Sequence, residues 1–342
     1  MNLQTSRRPL FRRFSVSFIL CLFLLPPSFV SSGALAQAQQ SSNVAPPAAP
    51  VMVKLPVVVM NDKRQLIEGL TKDDFSVWEG KQEHEINYFQ SSASPASVAV
   101  LIDVSEGIRP RTLVAVKHAL AKFIELARAE NEYFVSEFSE GQRELTGWTR
   151  DAVEVVRGLE KLAVSPQAAL LKPKPGGQAA FYDACAATLD ALGARSNSAR
   201  VLLLFTDALD DQSRLTFGQL RRKAIASDVQ IYVLGMGEVS MINDGERADV
   251  IFGQRLLGEL AFVSGGGSFF ADDPADRKEM EKGLTRIAAE LRHQYIIGFI
   301  PASSAPDGKL NKIKVTLRSP KHKRLILRSR EGYFSPLTAT KP

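Results

Sequence analysis

Val98-Ala99-Val100-Leu101-Ile102-Asp103-Val104-Ser105-Glu106-Gly107 decides the fold. An unbroken apolar run ends in an Asp-x-Ser turn, and Pro110 opens a helical pattern just beyond it. Continuous apolar strands are the mark of a parallel sheet covered on both faces. In such a sheet the turn lies in the crevice outside the carboxyl ends of the strands, where ligands bind. Val201-Leu202-Leu203-Leu204-Phe205-Thr206-Asp207 repeats the pattern, so Asp207 is expected at the same crevice. Carboxylate and hydroxyl oxygens placed there are hard donors, suited to Mg²⁺, Mn²⁺ or Ca²⁺.

Outward from this core, strand and helix patterns alternate between 97 and 300. Strands are expected at 98–103, 132–138, 200–206, 229–235, 268–270 and 294–300. Helices are expected at 110–129, 151–162, 180–193, 215–227, 253–264 and 274–292. Leu113, Val116, Leu120, Phe123 and Ile124 show the helical spacing in the first of these. Such alternation predicts an α/β fold with a doubly wound, mostly parallel sheet, Rossmann-like in architecture. Gly265-Gly266-Gly267 reads as a helix C-cap and turn. Gly176-Gly177 lacks the Lys and Ser/Thr of a phosphate loop and reads as a turn feeding a helix.

The flanks have β character. Residues 51–95 hold Val51–Val59, Phe75–Glu79 and Glu85–Phe89, separated by turn residues, and are too short to bury much core alone. Residues 301–342 alternate again at Leu310–Leu317. Nine Lys or Arg and no acid fall between 309 and 330, read as a solvated strand face guarded against edge pairing. The whole is a parallel-sheet domain at 96–300 between small N-terminal and C-terminal β-segments.

The first 36 residues read as an export signal. Arg7, Arg8, Arg12 and Arg13 precede an apolar run, Phe14–Leu25, and Ala34-Leu35-Ala36 is a cleavage pattern. Residues 37–50, rich in Gln, Ser, Ala and Pro, read as a linker. The formal charge of +6 over 342 residues shrinks once the signal is removed, to 39 basic against 37 acidic residues. That balance gives no reason to expect nucleic acid as a partner. Only Cys185 survives cleavage, so no internal disulfide is expected, and its Ala-rich helical context marks it as a buried structural thiol. His84, His118, His293 and His322 lack metal-ligand spacing.

With these pieces in order, the chain resembles the von Willebrand factor type A domain family. The matching pieces are Val98–Ser105, Tyr133–Ser139, Gly176–Asp183, Leu202–Asp207 and Ile231–Gly235. It looks in particular like the secreted acidobacterial-type group. The segments that carry that likeness are Gly69–Val77, Gln294–Phe299 and Arg330–Phe334. The resemblance implies a cation site built from Asp-x-Ser-x-Ser, a Thr on a second loop and an Asp on a third. Asp103, Ser105 and Asp207 match their positions. Gly107 stands where the second Ser belongs, and Ala179 where the Thr belongs. Glu106, Gln178, Asp210 and Asp211 lie close enough in sequence to line the crevice and compensate. A competing reading has Asp103 and Ser105 capping the first helix and ordering the loop.

The function implied is an exported protein-binding module, without enzymatic activity. An adhesion or assembly partner would meet the carboxyl edge of the sheet, through an acidic residue that completes coordination of one divalent cation. A module with a decayed cation site is the alternative. Metal-assisted hydrolysis fits least, because no Asp-x-Asp nucleophile and no nucleophile elbow is present.

Overall fold

A computed structural model describes residues 52–91, 94–162, 178–237, 244–301, 308–318 and 324–334. Chain contacts separate Met1–Ala48 from Ala49–Pro342, and every described residue lies in the second unit. The signal, the linker, Gly176-Gly177 and His322 lie outside the described residues.

In chain order the strands are β1 (Val53–Met60), β2 (Phe75–Glu79), β3 (Gln82–His84), β4 (Ile86–Gln90), β5 (Ala96–Asp103), β6 (Glu132–Phe138), β7 (Gln142–Thr149), β8 (Ala199–Thr206), β9 (Gln230–Gly235), β10 (Ser268–Phe270), β11 (Tyr295–Phe299), β12 (Leu310–Leu317), β13 (Ile326–Arg328) and β14 (Gly332–Phe334). The helices are α1 (Pro110–Leu126), α2 (Ala152–Glu160), α3 (Phe181–Gly193), α4 (Phe217–Ala226), α5 (Asp244–Ser264) and α6 (Arg277–His293).

The central sheet has six strands in the order β10-β9-β8-β5-β6-β7. All its pairings are parallel except β6–β7. Every residue of β5 is buried. Its side chains alternate between two cores, as the period of a strand requires. Val98, Val100 and Ile102 join the cluster that includes Leu113, Leu120 and Phe123 of α1 and Leu284 and Ile287 of α6. Ala99 and Leu101 join the opposite cluster with Phe181 and Leu189 of α3, Leu220 of α4 and Leu257 of α5. Burial on both faces is why the sequence reads as a continuous apolar run. Each such Leu or Ile contributes roughly 1.5–3 kcal/mol.

β7 was not foreseen. It is an antiparallel edge strand whose sequence, Gln142-Arg143-Glu144-Leu145-Thr146-Gly147-Trp148-Thr149, buries only Leu145 and Thr146. The candidate strand at 294–300 forms, but as β11 it leaves the parallel sheet. It pairs antiparallel with β1 and β4 in a four-stranded sheet ordered β13-β1-β11-β4. A second four-stranded sheet, β14-β12-β2-β3, combines strands from both flanks. Leu55, Val57 and Ile297 of the first sheet share a core cluster with Phe75, Val77 and Val315 of the second. Tyr295 anchors it: its hydroxyl accepts from Leu70 N (3.2 Å) and donates to Ile67 O (2.9 Å). Neither flank buries a core alone; together they do.

α5 begins at Asp244, upstream of the expected 253. It ends at Ser264, and Gly265 follows with φ +78°, the left-handed C-cap conformation. The basic C-terminal run is tied into the fold. Arg318 pairs with Glu83 (2.7 Å), Arg330 with Asp228 (2.5 Å), and Arg328 with the buried Glu290. Cys185 is fully buried on α3, and burial pushes its thiol up to about 12. Alkylation with iodoacetamide is expected to be negligible in the native protein and rapid after denaturation. Fast labelling of folded protein would contradict this placement.

Candidate functional site

β5 and β8 lie side by side and end at the same level, with Ile102 opposite Phe205. Asp103, the last residue of β5, and Asp207, directly after β8, therefore meet at the carboxyl edge of the sheet. Both are buried, Asp103 completely. Asp103 Oδ1 accepts from Ser105 N (2.9 Å), and Oδ2 accepts from the Thr206 hydroxyl (2.7 Å). Thr206 Oγ1 in turn accepts from Ala208 N (3.0 Å), and Asp207 Oδ1 accepts from Leu209 N (3.0 Å). One chain of hydrogen bonds thus links the β5 turn to the β8 turn.

α5 roofs the crevice. A Cβ added at Gly253 would meet Asp207 O at 2.4 Å, and one added at Gly237 would meet Val250 Cγ1 at 2.9 Å and Asp207 Cβ at 3.5 Å. The backbones approach so closely that only glycine fits at Gly253. Burial raises the pKa of Asp103. Burial, and then the charge of Asp103, raise Asp207 to about 7. The ionised form is disfavoured because neither carboxylate has an ion-pair partner among the described residues.

Around this pair, three further carboxylates stitch the loops together. Asp211 accepts from Gln178 N (3.2 Å) and Ala179 N (2.9 Å). Asp210 accepts from Tyr182 N (2.9 Å) at the start of α3, and from Ser213 N and its hydroxyl. Asp183 accepts from Arg214 N and Leu215 N, both at 3.0 Å. Ala179 O accepts from Asp211 N and Gln212 N, both at 3.1 Å. The stitching holds Gln178 at φ +51°, and the Thr206 hydroxyl holds Ala208 at φ +68°, a region L-residues with a Cβ rarely adopt. Strain of this kind persists only where surrounding contacts over-determine it, and it gathers at functional sites. Asp211→Ala is expected to leave two backbone N–H groups without their acceptor. The cost is about 1 kcal/mol in stability, read as a lower denaturant midpoint.

Seven of the nine residues singled out from sequence come together here: Asp103, Ser105, Gln178, Ala179, Asp207, Asp210 and Asp211. Glu106 is exposed and Gly107 half-buried in the turn before α1. The structure separates two parts of the capping idea. Asp103 does order the loop, through Ser105 N, but the N-cap of α1 is Arg109, with Pro110 in the first turn and no side-chain cap. Thr206 and Asp183 were missed. The first reads as the end of an apolar strand, and the second as an ordinary first-turn acid of a helix.

As donors for a hard divalent cation, the crevice offers two carboxylates and the hydroxyls of Ser105 and Thr206, the latter already bound to Asp103. Gly107 and Ala179 bring no side-chain oxygen, and such an ion takes about six oxygens. Among the described residues no group of three or more His, Cys, Asp or Glu is placed to hold a metal. These residues do not fit a resident cation.

Residues 98–209 match the model of the von Willebrand factor type A domain. No curated protein matches the chain. Similar solved structures include an aerotolerance-related membrane protein from Bacteroides fragilis, with 15% identity and a TM-score of 0.44 over 58% of this chain and 98% of that one. The PilB minor pilin from Streptococcus sanguinis aligns at 10% identity and a TM-score of 0.42, over 59% and 62% of the two chains. The SpRpn10 VWA domain aligns at 16% identity and a TM-score of 0.40, over 56% and 93%. The stretch that carries Asp103 and Asp207 at the carboxyl edge of the sheet, residues 98–209, is similar to a von Willebrand factor type A domain.

Proposed function

We propose that this chain is an exported, non-enzymatic protein-interaction module. Its contact surface is the carboxyl edge of the parallel sheet, presented by Glu106, Gln178 and Asp211. Beneath it, the Asp103–Asp207 crevice braces the loops with a retained proton instead of a cation. The observation that supports this best is the stitching by Asp183, Asp210 and Asp211, which spends their oxygens on backbone N–H groups of neighbouring loops. Loops fixed in advance lose little entropy on binding, and function concentrates on loops held by a rigid scaffold. Carboxylates committed in this way are poor substitutes for the missing cation ligands.

Export rests on Arg7–Leu25 and the Ala34-Leu35-Ala36 pattern. Among the described residues no helix is long and apolar enough to cross a membrane. The likeness to the secreted acidobacterial-type group accords with this reading. Catalysis has little support here, since the crevice is roofed by α5 and its Thr206 hydroxyl is bound to a carboxylate.

A photo-crosslinking amino acid placed in turn at Glu106, Gln178 and Asp211, with Lys122 on α1 as control, tests the surface in cells. Adducts are expected at the first three positions, unchanged by chelator. Adducts only at the control, or none, would sink the proposal. Adducts abolished by chelator would restore a cation to the site.

A further inference from the structure

The central sheet has a lateral edge away from the Asp103–Asp207 crevice, formed by β10. That strand ends the six-stranded sheet and pairs on one side only, with β9. Gly267 O accepts from Val233 N, so by strand alternation Ser268 and Phe270 turn their N–H and C=O groups to the open side. An unpaired edge of this kind is a template for an added strand.

The edge is not flat. It opens into a cavity of about 760 Å³ between α5 and α6. A smaller cavity of about 260 Å³ continues it and shares Phe269, Phe270 and Lys282. The two walls differ in chemistry. On the α5 side stand Gly258, Ala261 and the exposed ring of Phe262. On the α6 side stand Lys282 and Arg286, with Arg64 and Arg328 close by.

Among the described residues Glu290 is the one carboxylate lining the larger cavity, and it serves both Arg286 and Arg328. Lys282 and Arg64 have no carboxylate partner among the described residues. At the far end Asp272 and Glu279 balance Lys278 and Lys282, so the positive excess lies in the wide part, with Arg64, Arg286 and Arg328 against Glu290. Tyr232 is fully buried in the lining of the cavity, where its ring lies under the Arg328 guanidinium.

We propose that the open edge of β10 binds an extended peptide of alternating acidic and apolar residues as an added strand. Side chains of a strand alternate between faces. The acidic ones would meet Lys282, Arg286 and Arg64, and the apolar ones the exposed ring of Phe262. Main-chain bonds to Ser268 and Phe270 supply affinity and the two walls supply selectivity. This site uses other residues and another partner chemistry than the carboxyl edge, so either proposal can fail alone.

The test uses the chain lacking residues 1–36 and a fluorescein-labelled peptide alternating valine and glutamate. Saturable binding is expected, with Ser268 and Phe270 amides protected from hydrogen exchange. The double variant Arg64→Glu, Lys282→Glu is exposed at both positions, so folding should survive. It is expected to weaken binding roughly tenfold or more. N-methylating alternate peptide residues keeps charge but removes edge pairing, and a loss of similar size is expected. No binding, equal binding of a valine–lysine peptide, or indifference to N-methylation would overturn the proposal. So would binding to anionic phosphatidylglycerol vesicles in place of the peptide.

Discussion

Replacing Asp207 by Asn is expected to stabilise the protein by a few kcal/mol near pH 8 and to change little near pH 4. The folded protein holds the Asp207 carboxyl at about 7, through burial and then the charge of Asp103. An unfolded aspartate titrates near 3.9. The folded state therefore binds a proton that the unfolded state releases. The stability this represents is complete below about pH 4 and is lost as pH rises towards 7. Wild-type protein should accordingly unfold at lower temperature at pH 8 than at pH 5. Asparagine is nearly isosteric, keeps an oxygen for Leu209 N, and carries no charge to bury. Thermal melts of both proteins across this range check the sign. A wild-type melt that rises with pH would contradict the assignment, as would an Asn variant with the same slope.

Thr206→Val is expected to cost about 2–6 kcal/mol, from two buried groups left without partners at roughly 1–3 kcal/mol each. The substitution keeps shape and volume but removes one oxygen. That oxygen donates to Asp103 Oδ2 and accepts from Ala208 N. Ala208 sits at φ +68°, so losing its N–H partner also frees a strained turn. Thr206→Ser keeps the hydroxyl and should recover most of the loss, measured as denaturant midpoints. A Val variant as stable as wild type would mean that the crevice hydrogen bonds do not brace the loops.

The core strands were legible because burial on both faces leaves a plain trace: β5 and β8 are unbroken apolar runs. β7 left none, because an edge strand with one covered face needs few apolar residues. The partner of β11 could not be read either. Tyr295–Phe299 looks the same whether it pairs with a parallel neighbour or with β1, some 240 residues earlier in the chain. Pairing over that distance is set by the shared core of the two flanking sheets.

At the site, strand ends located Asp103 and Asp207, since a carboxylate closing an apolar strand is conspicuous. The role of Thr206 was hidden, because a hydroxyl there looks like part of the strand. The stitching by Asp183, Asp210 and Asp211 depends on which backbone N–H groups the fold brings near, and residue type alone does not encode that. Nothing about alanine announces the left-handed turn at Ala208.

Calorimetric titration of Mg²⁺, Mn²⁺ and Ca²⁺ into chelator-stripped protein lacking residues 1–36, with Asp207→Asn as control, reads whether the crevice takes an ion. Only heats of dilution are expected for both proteins up to millimolar ion. A saturating isotherm in the wild type that vanishes in Asp207→Asn would contradict this, and would show a cation where we place a proton.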